Sequence, residues 1–310
     1  MLLLAALALL PLAAFAFPDR PVTIINPYAT GSQADAVARA LADGLAAQLG
    51  QPVVVTNREG GSGVVGLRVL AASPPDGHIL AFSALVPLTI QPHLVRNTGL
   101  GPDAIAPICN VTENILGVMV RADAPWHSLP ELVAEARRRP VTYGSPGPNS
   151  APSIGMARIQ KAAGGEYVHV PYRADAQALL EVKAGRLDAA AIVVASGAPM
   201  ARAGEMRLIG TFSLRRHPDF AAVPTAREQG IEAVELSAGG LYAPRATPEP
   251  VLAQLEAACQ AAMQTEGFRL MAARWSVLPE FLGRADFARR LHDAFNDHAE
   301  VLRALGVQPE

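Results

Sequence analysis

Short apolar runs alternate with amphipathic stretches along most of this chain. The first run, Val22–Ile25, carries the apolar and β-branched residues typical of a buried strand. The stretch from Ala34 to Leu49 then repeats apolar residues at helical spacing and ends before Gly50. A strand that leads into an amphipathic helix is half of a βαβ unit, so this pattern predicts an α/β protein.

The same alternation continues to the carboxyl end of the chain. It predicts further strands at 52–56, 79–83, 141–144, 167–170, 189–195, 207–212 and 239–243. It predicts further helices at 66–72, 130–139, 154–163, 176–184, 250–265 and 286–305. Strands that alternate with helices in this way usually pair in parallel, so we expect parallel sheets covered by helices.

Two apolar runs, 115–120 and 239–243, flank a long middle block. If both are strands that cross between two sheets, residues 17–118 and 241–310 form one lobe and residues 119–240 form the other. Ligands of open α/β sheets bind beside the carboxyl ends of the strands. We therefore expect a ligand cleft between two lobes.

Two polar loops rich in Gly, Ser and Pro occupy equivalent positions in the two blocks. Residues 26–33 join a strand to a helix in the first block, and residues 145–150 do so in the second. The first turn of a helix carries a partial positive charge and free N–H groups, so it attracts carboxylates without Lys or Arg. Ser32 and Asp35 also have helix-cap spacing, which is compatible with an anion site at the same helix start. The two loops together predict that a small anion binds between them.

The amino-terminal segment, residues 1–16, has the features of an export signal. Leu2–Leu10 is an unbroken apolar run, and Ala14–Ala16 supplies a small-x-small cleavage pattern. The basic residues that usually precede the apolar run are missing. We expect export to the periplasm and a mature chain that begins at Phe17.

The charge balance argues against nucleic acid or an anionic membrane surface as the partner. The net charge is −2, and charged residues make up only 17% of the chain. The two cysteines, Cys109 and Cys259, could form one bridge in an exported protein. Because both lie in apolar patterns, we favour two buried, unpaired cysteines.

Residues 61–66 match the dinucleotide-binding pattern G-x-G-x-x-G. In that pattern the glycines turn directly off the strand, whereas Asn57–Gly60 intervene here, and no Asp or Glu ends the following strand. We therefore favour a structural turn and expect no cofactor.

The sequence carries no motif of a hydrolase or of a metal site. It has no G-x-S-x-G nucleophile elbow and no His or Cys pair at metal-ligand spacing. We expect no catalytic residues and no metal. His169 follows a strand and precedes Pro171–Arg173, and packing and ligand contact are equally open for it.

A series of short motifs follows the mature chain in a consistent order. They are Pro18–Thr23, Tyr28, Gly31-Ser32, Asp35-x-x-x-Arg39, Leu49–Arg58, Pro75–His78, Tyr143–Gly147, His169–Arg173, Val223–Thr225 and Leu241–Pro244. In this order they resemble the solute-binding receptors of the tripartite tricarboxylate transporter group, also called Bug receptors. The resemblance covers nearly all of the mature chain.

The resemblance implies a two-lobed periplasmic-binding-protein fold of the Venus-flytrap kind that closes on a small organic carboxylate. It also implies a monomer that hands its ligand to membrane transporter subunits. In the family, backbone amides and hydroxyls of the two strand-to-helix loops hold the carboxylate. Carried over by position, the implied ligand-binding residues are Tyr28, Gly31, Ser32, Ser83, Ser145, Gly147 and Ser150.

The chain departs from the family pattern at several positions. Ser32 replaces a second glycine, Ile192 stands where an Asp is frequent, and Ala238 stands where a Trp is usual. Asp175 follows Tyr172-Arg173, where the family has a small neutral residue, so Tyr172 and Asp175 join the candidate site. We expect the Asp175 side chain to point into solvent; the alternative is that it binds a cationic end of the ligand.

Two other functions use the same scaffold. A ligand-sensing partner of a membrane signalling receptor has the same fold, and genes for a histidine kinase rather than for transporter subunits nearby would favour it. A periplasmic enzyme is the second alternative, and the missing catalytic motifs argue against it.

Overall fold

The computed structural model describes residues 17–309, so the expected export signal at 1–16 lies outside the described residues. The chain begins with β1 (Val22–Asn26), α1 (Gln33–Leu49), β2 (Val53–Asn57), a 3-10 turn at Gly61–Gly63, α2 (Val64–Ala71), β3 (Ile79–Ala84), the short helices α3 (Val86–Thr89) and α4 (Gln91–Leu94), and β4 (Ile105–Asn114). Most predicted elements in this part exist, with ends shifted by one or two residues.

The middle of the chain forms β5 (Leu116–Arg121), α5 (Leu129–Ala136), β6 (Val141–Ser145), α6 (Ala151–Ala163), β7 (Tyr167–Pro171), α7 (Asp175–Lys183), β8 (Ala189–Val193), α8 (Val194–Arg202), β9 (Met206–Thr211) and a 3-10 turn at Pro218–Phe220. The last part forms β10 (Ser237–Pro244), α9 (Glu249–Met263), α10 (Glu266–Trp275), β11 (Leu278–Leu282) and α11 (Arg284–Ala304). Within residues 17–309, no helix combines the length and the apolar character that a bilayer crossing requires.

The strands form two sheets, each of which defines a lobe. The first lobe contains the sheet β11-β4-β10-β3-β1-β2, and the second lobe contains the sheet β7-β6-β8-β5-β9. The chain passes from the first sheet to the second between β4 and β5 and returns before β10. The expected lobe boundaries at residues 118 and 240 fall inside β5 and β10.

The expectation of purely parallel sheets is wrong. β1 pairs in parallel with β2 and β3, and β6 pairs in parallel with β7 and β8, as the βαβ pattern predicts. β10, however, runs antiparallel to β3 and β4, and β5 runs antiparallel to β8 and β9. These two strands carry the chain from one lobe to the other. Neither is reached through a crossover helix, which is the connection that makes neighbouring strands parallel.

Six elements are missing from the sequence-based prediction, namely α3, α4, β4, α8, α10 and β11. The predicted strand 189–195 ends at Val193, and α8 follows at once, because a short Ala/Val run does not distinguish a strand from a helix. Similarly, the predicted helix 250–265 ends at Met263, and the Thr265 side chain caps α10 by accepting from the Phe268 N–H. β11 then forms one edge of the first sheet.

The C-terminal helix α11 packs on both lobes. Phe287 and Leu291, in its first half, belong to the apolar core around β1 and β3 of the first lobe. Val301 and Leu302, near its end, belong to the core around β5 and β6 of the second lobe. The helix therefore spans the boundary between the lobes.

The expectation of two unpaired cysteines is wrong, because Cys109 on β4 and Cys259 on α9 form a disulfide. Both residues are fully buried in the core of the first lobe. The apolar pattern around each residue was correctly recognised, but the pairing depends on α9 packing over β4, which a sequence separation of 150 residues conceals. A buried disulfide is typical of proteins that fold outside the cytoplasm.

We predict that the double variant Cys109→Ala/Cys259→Ala loses about 2–5 kcal/mol of unfolding free energy, because the bridge closes a long loop in the unfolded chain. Urea denaturation followed by circular dichroism measures this loss. The intact mass of the non-reduced wild type, compared with that of the reduced protein, reports the bridge independently. Equal stability of the two proteins would contradict the prediction.

Candidate functional site

A cavity of about 510 Å³ lies in the cleft between the lobes. Its polar lining comes from Tyr28, Ser32, Gln33, Ser62, Thr112, Asn114 and Arg173. Its larger apolar lining residues are Val37, Phe82, Val86, Pro146 and Val277. Pro146 and Arg173 belong to the second lobe, so both lobes contribute to the cavity.

The first strand-to-helix loop is held by Asp35. The Gly31 N–H donates to Asp35 Oδ2 at 3.0 Å, and Arg39 Nε forms an ion pair with the same oxygen at 2.9 Å. Asn57 Nδ2 donates to Asp35 Oδ1 at 2.9 Å. Burial opposes the charge, but these bonds from Arg39, Gly31 and Asn57 hold the pKa of Asp35 well below its usual range. Asp35 is therefore ionised at any physiological pH.

The start of α1 faces the cavity. The Ser32 hydroxyl accepts from the Asp35 N–H at 3.2 Å, and the Ser32 carbonyl accepts from the Ala36 N–H at 3.0 Å. The first N–H groups of a helix have no acceptor within the helix. The cap therefore leaves the N–H groups of Gln33 and Ala34, two cavity-lining residues, for a partner outside the helix.

Tyr28 connects the cavity to the end of β3. Its hydroxyl lies 3.3 Å from Ser83 Oγ and accepts from the Ala84 N–H at 3.2 Å. Burial raises the pKa of Tyr28, so the group is a neutral phenol. Ser83 is fully buried and lies behind Tyr28 rather than on the cavity wall.

The hydroxyls of the second loop bond to one another. The fully buried Ser145 Oγ lies 2.7 Å from His169 Nε2 and 3.4 Å from Ser150 Oγ. Ser150 caps α6 by accepting from the Ser153 N–H, and Gly147, at φ +94°, donates its N–H to the Ser145 carbonyl at 2.8 Å. The polar groups of this loop are therefore largely satisfied within the second lobe.

His169 takes a packing role in this structure. Its ring stacks on Tyr143 at a centroid distance of 4.9 Å, and burial lowers its pKa. The imidazole is therefore neutral at pH 7. It supports Ser145 from behind the loop and is not among the residues that line the cavity.

The expectation that the Asp175 side chain points into solvent is wrong. Asp175 Oδ2 accepts from Ser196 Oγ at 2.8 Å and from the Val193 N–H at 3.3 Å, so it caps the start of α8. The other oxygen, Oδ1, is buried without a hydrogen-bond partner among the described residues. Burial raises the pKa of Asp175 to about 6. The bonds of Asp175 to the start of α8 could not be predicted, because α8 itself was not predicted.

The structure brings only part of the predicted site to the cavity. Tyr28 and Ser32 line it, and Arg173 lines it beside the predicted Tyr172, whose N–H donates to the Ser145 carbonyl at 2.9 Å. The remaining predicted residues are not among those that line the cavity: Gly31, Ser83, Ser145, Gly147, Ser150, Tyr172 and Asp175. Phe82 and Val277 are lining residues that sequence reasoning missed, because nothing in the local pattern shows which side of an apolar segment faces a cleft.

One cluster of metal-ligating residue types lies elsewhere, at the junction of the lobes. Glu235, Asp297 and His298 place ligand atoms within 4.8 Å of one another. His298 Nε2 lies 2.8 Å from Glu235 Oε1, and Arg158 pairs with both carboxylates, including Glu235 Oε2 at 2.8 Å. The guanidinium already pairs with both carboxylates, so these residues form an ion-pair network.

Comparison with known proteins identifies the family. Residues 37–307 match the model of the tripartite tricarboxylate transporter family receptor. The chain belongs to this family. A UPF0065 protein of Bordetella pertussis is 30% identical over 314 residues, which cover 99% of this chain and 97% of that protein.

Solved structures share the same two-lobed fold. A TctC solute-binding protein from Polaromonas superimposes with a TM-score of 0.84 at 24% identity, covering 93% of this chain and 99% of that one. An R. palustris protein solved with adipate superimposes with a TM-score of 0.79 at 25% identity, covering 95% of this chain and 100% of that one. The Venus-flytrap fold implied by the sequence motifs is therefore confirmed.

We predict that Asp175→Asn stabilises the protein at pH 7.5. The carboxyl has a pKa of about 6 in the folded protein against 3.8 in the unfolded chain. The folded state therefore binds this proton more tightly, and stability falls as the pH rises from about 4 to about 6. Removing the charge should raise the unfolding free energy by on the order of 1–3 kcal/mol above pH 6.

Melting temperatures between pH 4 and pH 8 measure this effect, and the exposed Asp43→Asn is the matched control. The two variants should diverge as the pH rises through the window. If Asp175→Asn melts below the wild type at pH 7.5, the ionised carboxylate stabilises α8 and the prediction fails.

Proposed function

We propose that this protein is an extracytoplasmic receptor that captures a small organic carboxylate in the cleft for a tripartite transporter. This proposal rests on one observation. The N–H groups at the start of α1, on the first lobe, and Arg173, on the second lobe, line the same cavity. A carboxylate between them gains a charge-assisted hydrogen bond from each side. Such a ligand would join the two lobes.

The electrostatics of the cavity favour an anion. The first turn of α1 contributes the positive end of a helix dipole, and Arg173 contributes a full charge. Among the described residues that line the cavity, none is acidic. Asp35, the acidic group nearest the helix start, is already paired with Arg39.

Other observations support an extracytoplasmic carboxylate receptor. The family model describes receptors, and the R. palustris neighbour was solved with adipate. The buried disulfide suits an oxidising compartment, which for an exported bacterial protein is the periplasm.

An enzymatic role is not favoured, although Ser145 and His169 lie within hydrogen-bonding distance. The Ser145 hydroxyl is fully buried and shares its bonds with Ser150, so a substrate carbonyl has no approach to it. Neither residue lines the cavity. We infer that the pair positions the loop.

We predict that a bound carboxylate raises the melting temperature. At a ligand concentration of about a hundred times Kd, linkage gives about 2.7 kcal/mol, or roughly 5–10 °C for a protein of this size. Arg173→Gln should weaken binding about tenfold, whereas Arg138→Gln, at an exposed arginine outside the cavity, should not.

Thermal shift with mono-, di- and tricarboxylates and acidic amino acids tests this prediction. The corresponding amides are the ligand controls, since they lack the charge. No shift with any carboxylate would overturn the proposed function.

We also predict that a carboxylate brings the lobes together, because its two partners lie on different lobes. Small-angle X-ray scattering with and without saturating ligand should show a smaller radius of gyration in the complex. An unchanged radius at confirmed saturation would show that the lobes do not close on the ligand.

A further inference from the structure

The cavity offers one cationic side chain and no anionic one. Among the described residues that line it, Arg173 is the only charged residue. An amino-acid ligand needs a partner for its ammonium group, and a dicarboxylate needs a second cation or a second set of free donors. The lining supplies no side-chain anion and no second side-chain cation, and its other polar side chains, such as those of Ser62, Thr112 and Asn114, are neutral.

The second loop does not supply the missing donors. Ser145 and Ser150 bond to each other and to His169, and Ser150 also caps α6. The second residue of α6 is Pro152, which has no N–H. The helix start of the second lobe is therefore a weaker anion site than that of α1.

The rest of the cavity wall is mainly apolar, with neutral polar groups from Ser62, Thr112 and Asn114. Phe82 lies on it from β3, Val37 from α1, Val86 from α3 and Val277 from the segment before β11. Gly239 on the neighbouring strand β10 makes room for the phenyl ring, because a Cβ there would lie 3.0 Å from Phe82 Cζ and 2.8 Å from Thr112 Oγ1. Burying a second charge against such a wall costs free energy, and no further charged side chain in the lining offsets this cost.

We propose that this cleft selects monocarboxylates with an uncharged, mainly apolar body over dicarboxylates, tricarboxylates and amino acids. The carboxylate lies between the start of α1 and Arg173, and the body lies against Phe82 and the valines. This inference rests on the proposed function, since it specifies the ligand class of the same site. It sets this chain apart from the R. palustris neighbour solved with adipate.

Four ligands with the same number of carbon atoms test the inference: hexanoate, adipate, 6-aminohexanoate and hexanamide. They differ in their two end groups and therefore in the charge at each end. Isothermal titration calorimetry on the mature chain should give hexanoate at least tenfold tighter binding than each of the other three. Benzoate and terephthalate form a second matched pair with a rigid body, and benzoate should bind at least tenfold tighter.

The outcomes separate the inference from the proposed function. If adipate or terephthalate binds as tightly as its monocarboxylate partner, the inference is overturned and the proposed function stands. If 6-aminohexanoate binds best, the inference is again overturned. If no carboxylate binds, including malate and citrate, the proposed function fails and the inference fails with it.

A variant tests the charge argument directly. Val86→Lys places a second cation on the apolar wall and should shift the preference toward adipate by about tenfold or more. Val95→Lys, at an exposed valine outside the cavity, is the matched control and should keep the wild-type preference. If Val86→Lys folds, as judged by circular dichroism, and keeps the wild-type preference, the lining charge does not set selectivity. If it does not fold, the ligand series on the wild type decides.

Discussion

The buried carboxylate of Asp35 organises the first lobe around the cleft. It receives the Gly31 N–H of the loop, the Asn57 amide from the end of β2 and the Arg39 guanidinium one turn further along α1. These partners come from three segments, so one ion fixes the loop, the helix and the neighbouring strand relative to one another. The cap bond of Ser32 then leaves the next N–H groups of α1 free at the cavity. The proposed anion site of the first lobe thus depends on an acidic residue that does not itself line the cavity.

The second lobe builds its equivalent loop without a charge. Ser145 bonds to Ser150 and to a neutral His169, and the Gly147 N–H donates to the Ser145 carbonyl. A neutral network satisfies its own donors and leaves little for a ligand, whereas the charged network of the first lobe leaves a helix start unpaired. The two loops look equivalent in the sequence but differ in what they offer. Among the described lining residues, Arg173 is the single free cation, and it gives the second lobe a charged group at the cavity.

Local sequence patterns predicted the local structure well. The spacing of apolar residues identified α1, Ser32 and Gly50 marked its ends, and the family motifs identified the two loops. Strand direction was not predictable in the same way, because β5 and β10 resemble other buried strands in composition. Their antiparallel pairing follows from the path of the chain between the lobes, which is a property of the whole fold.

The candidate site was predictable only where local chemistry determines it. Ser32 and Tyr28 lie on the cavity wall as their loop position implies, while Asp175 turns toward the start of α8, which an Ala/Val run concealed. Phe82 reaches the cavity because Gly239, on a strand distant in sequence, leaves space for its ring. A residue's side of a strand can be read from alternation, but the cavity it faces depends on elements that only tertiary packing brings together.

The packing of α11 limits how the cleft can close. Its first half belongs to the core of the first lobe, and its last turns belong to that of the second. Asp297 and His298 add bonds to Arg158 and to the fully buried side chain of Glu235 at the junction of the lobes. Because breaking a buried, hydrogen-bonded pair is costly, we expect any closure of the cleft to preserve this network. Selectivity then depends on the charges and apolar surfaces that already line the cleft.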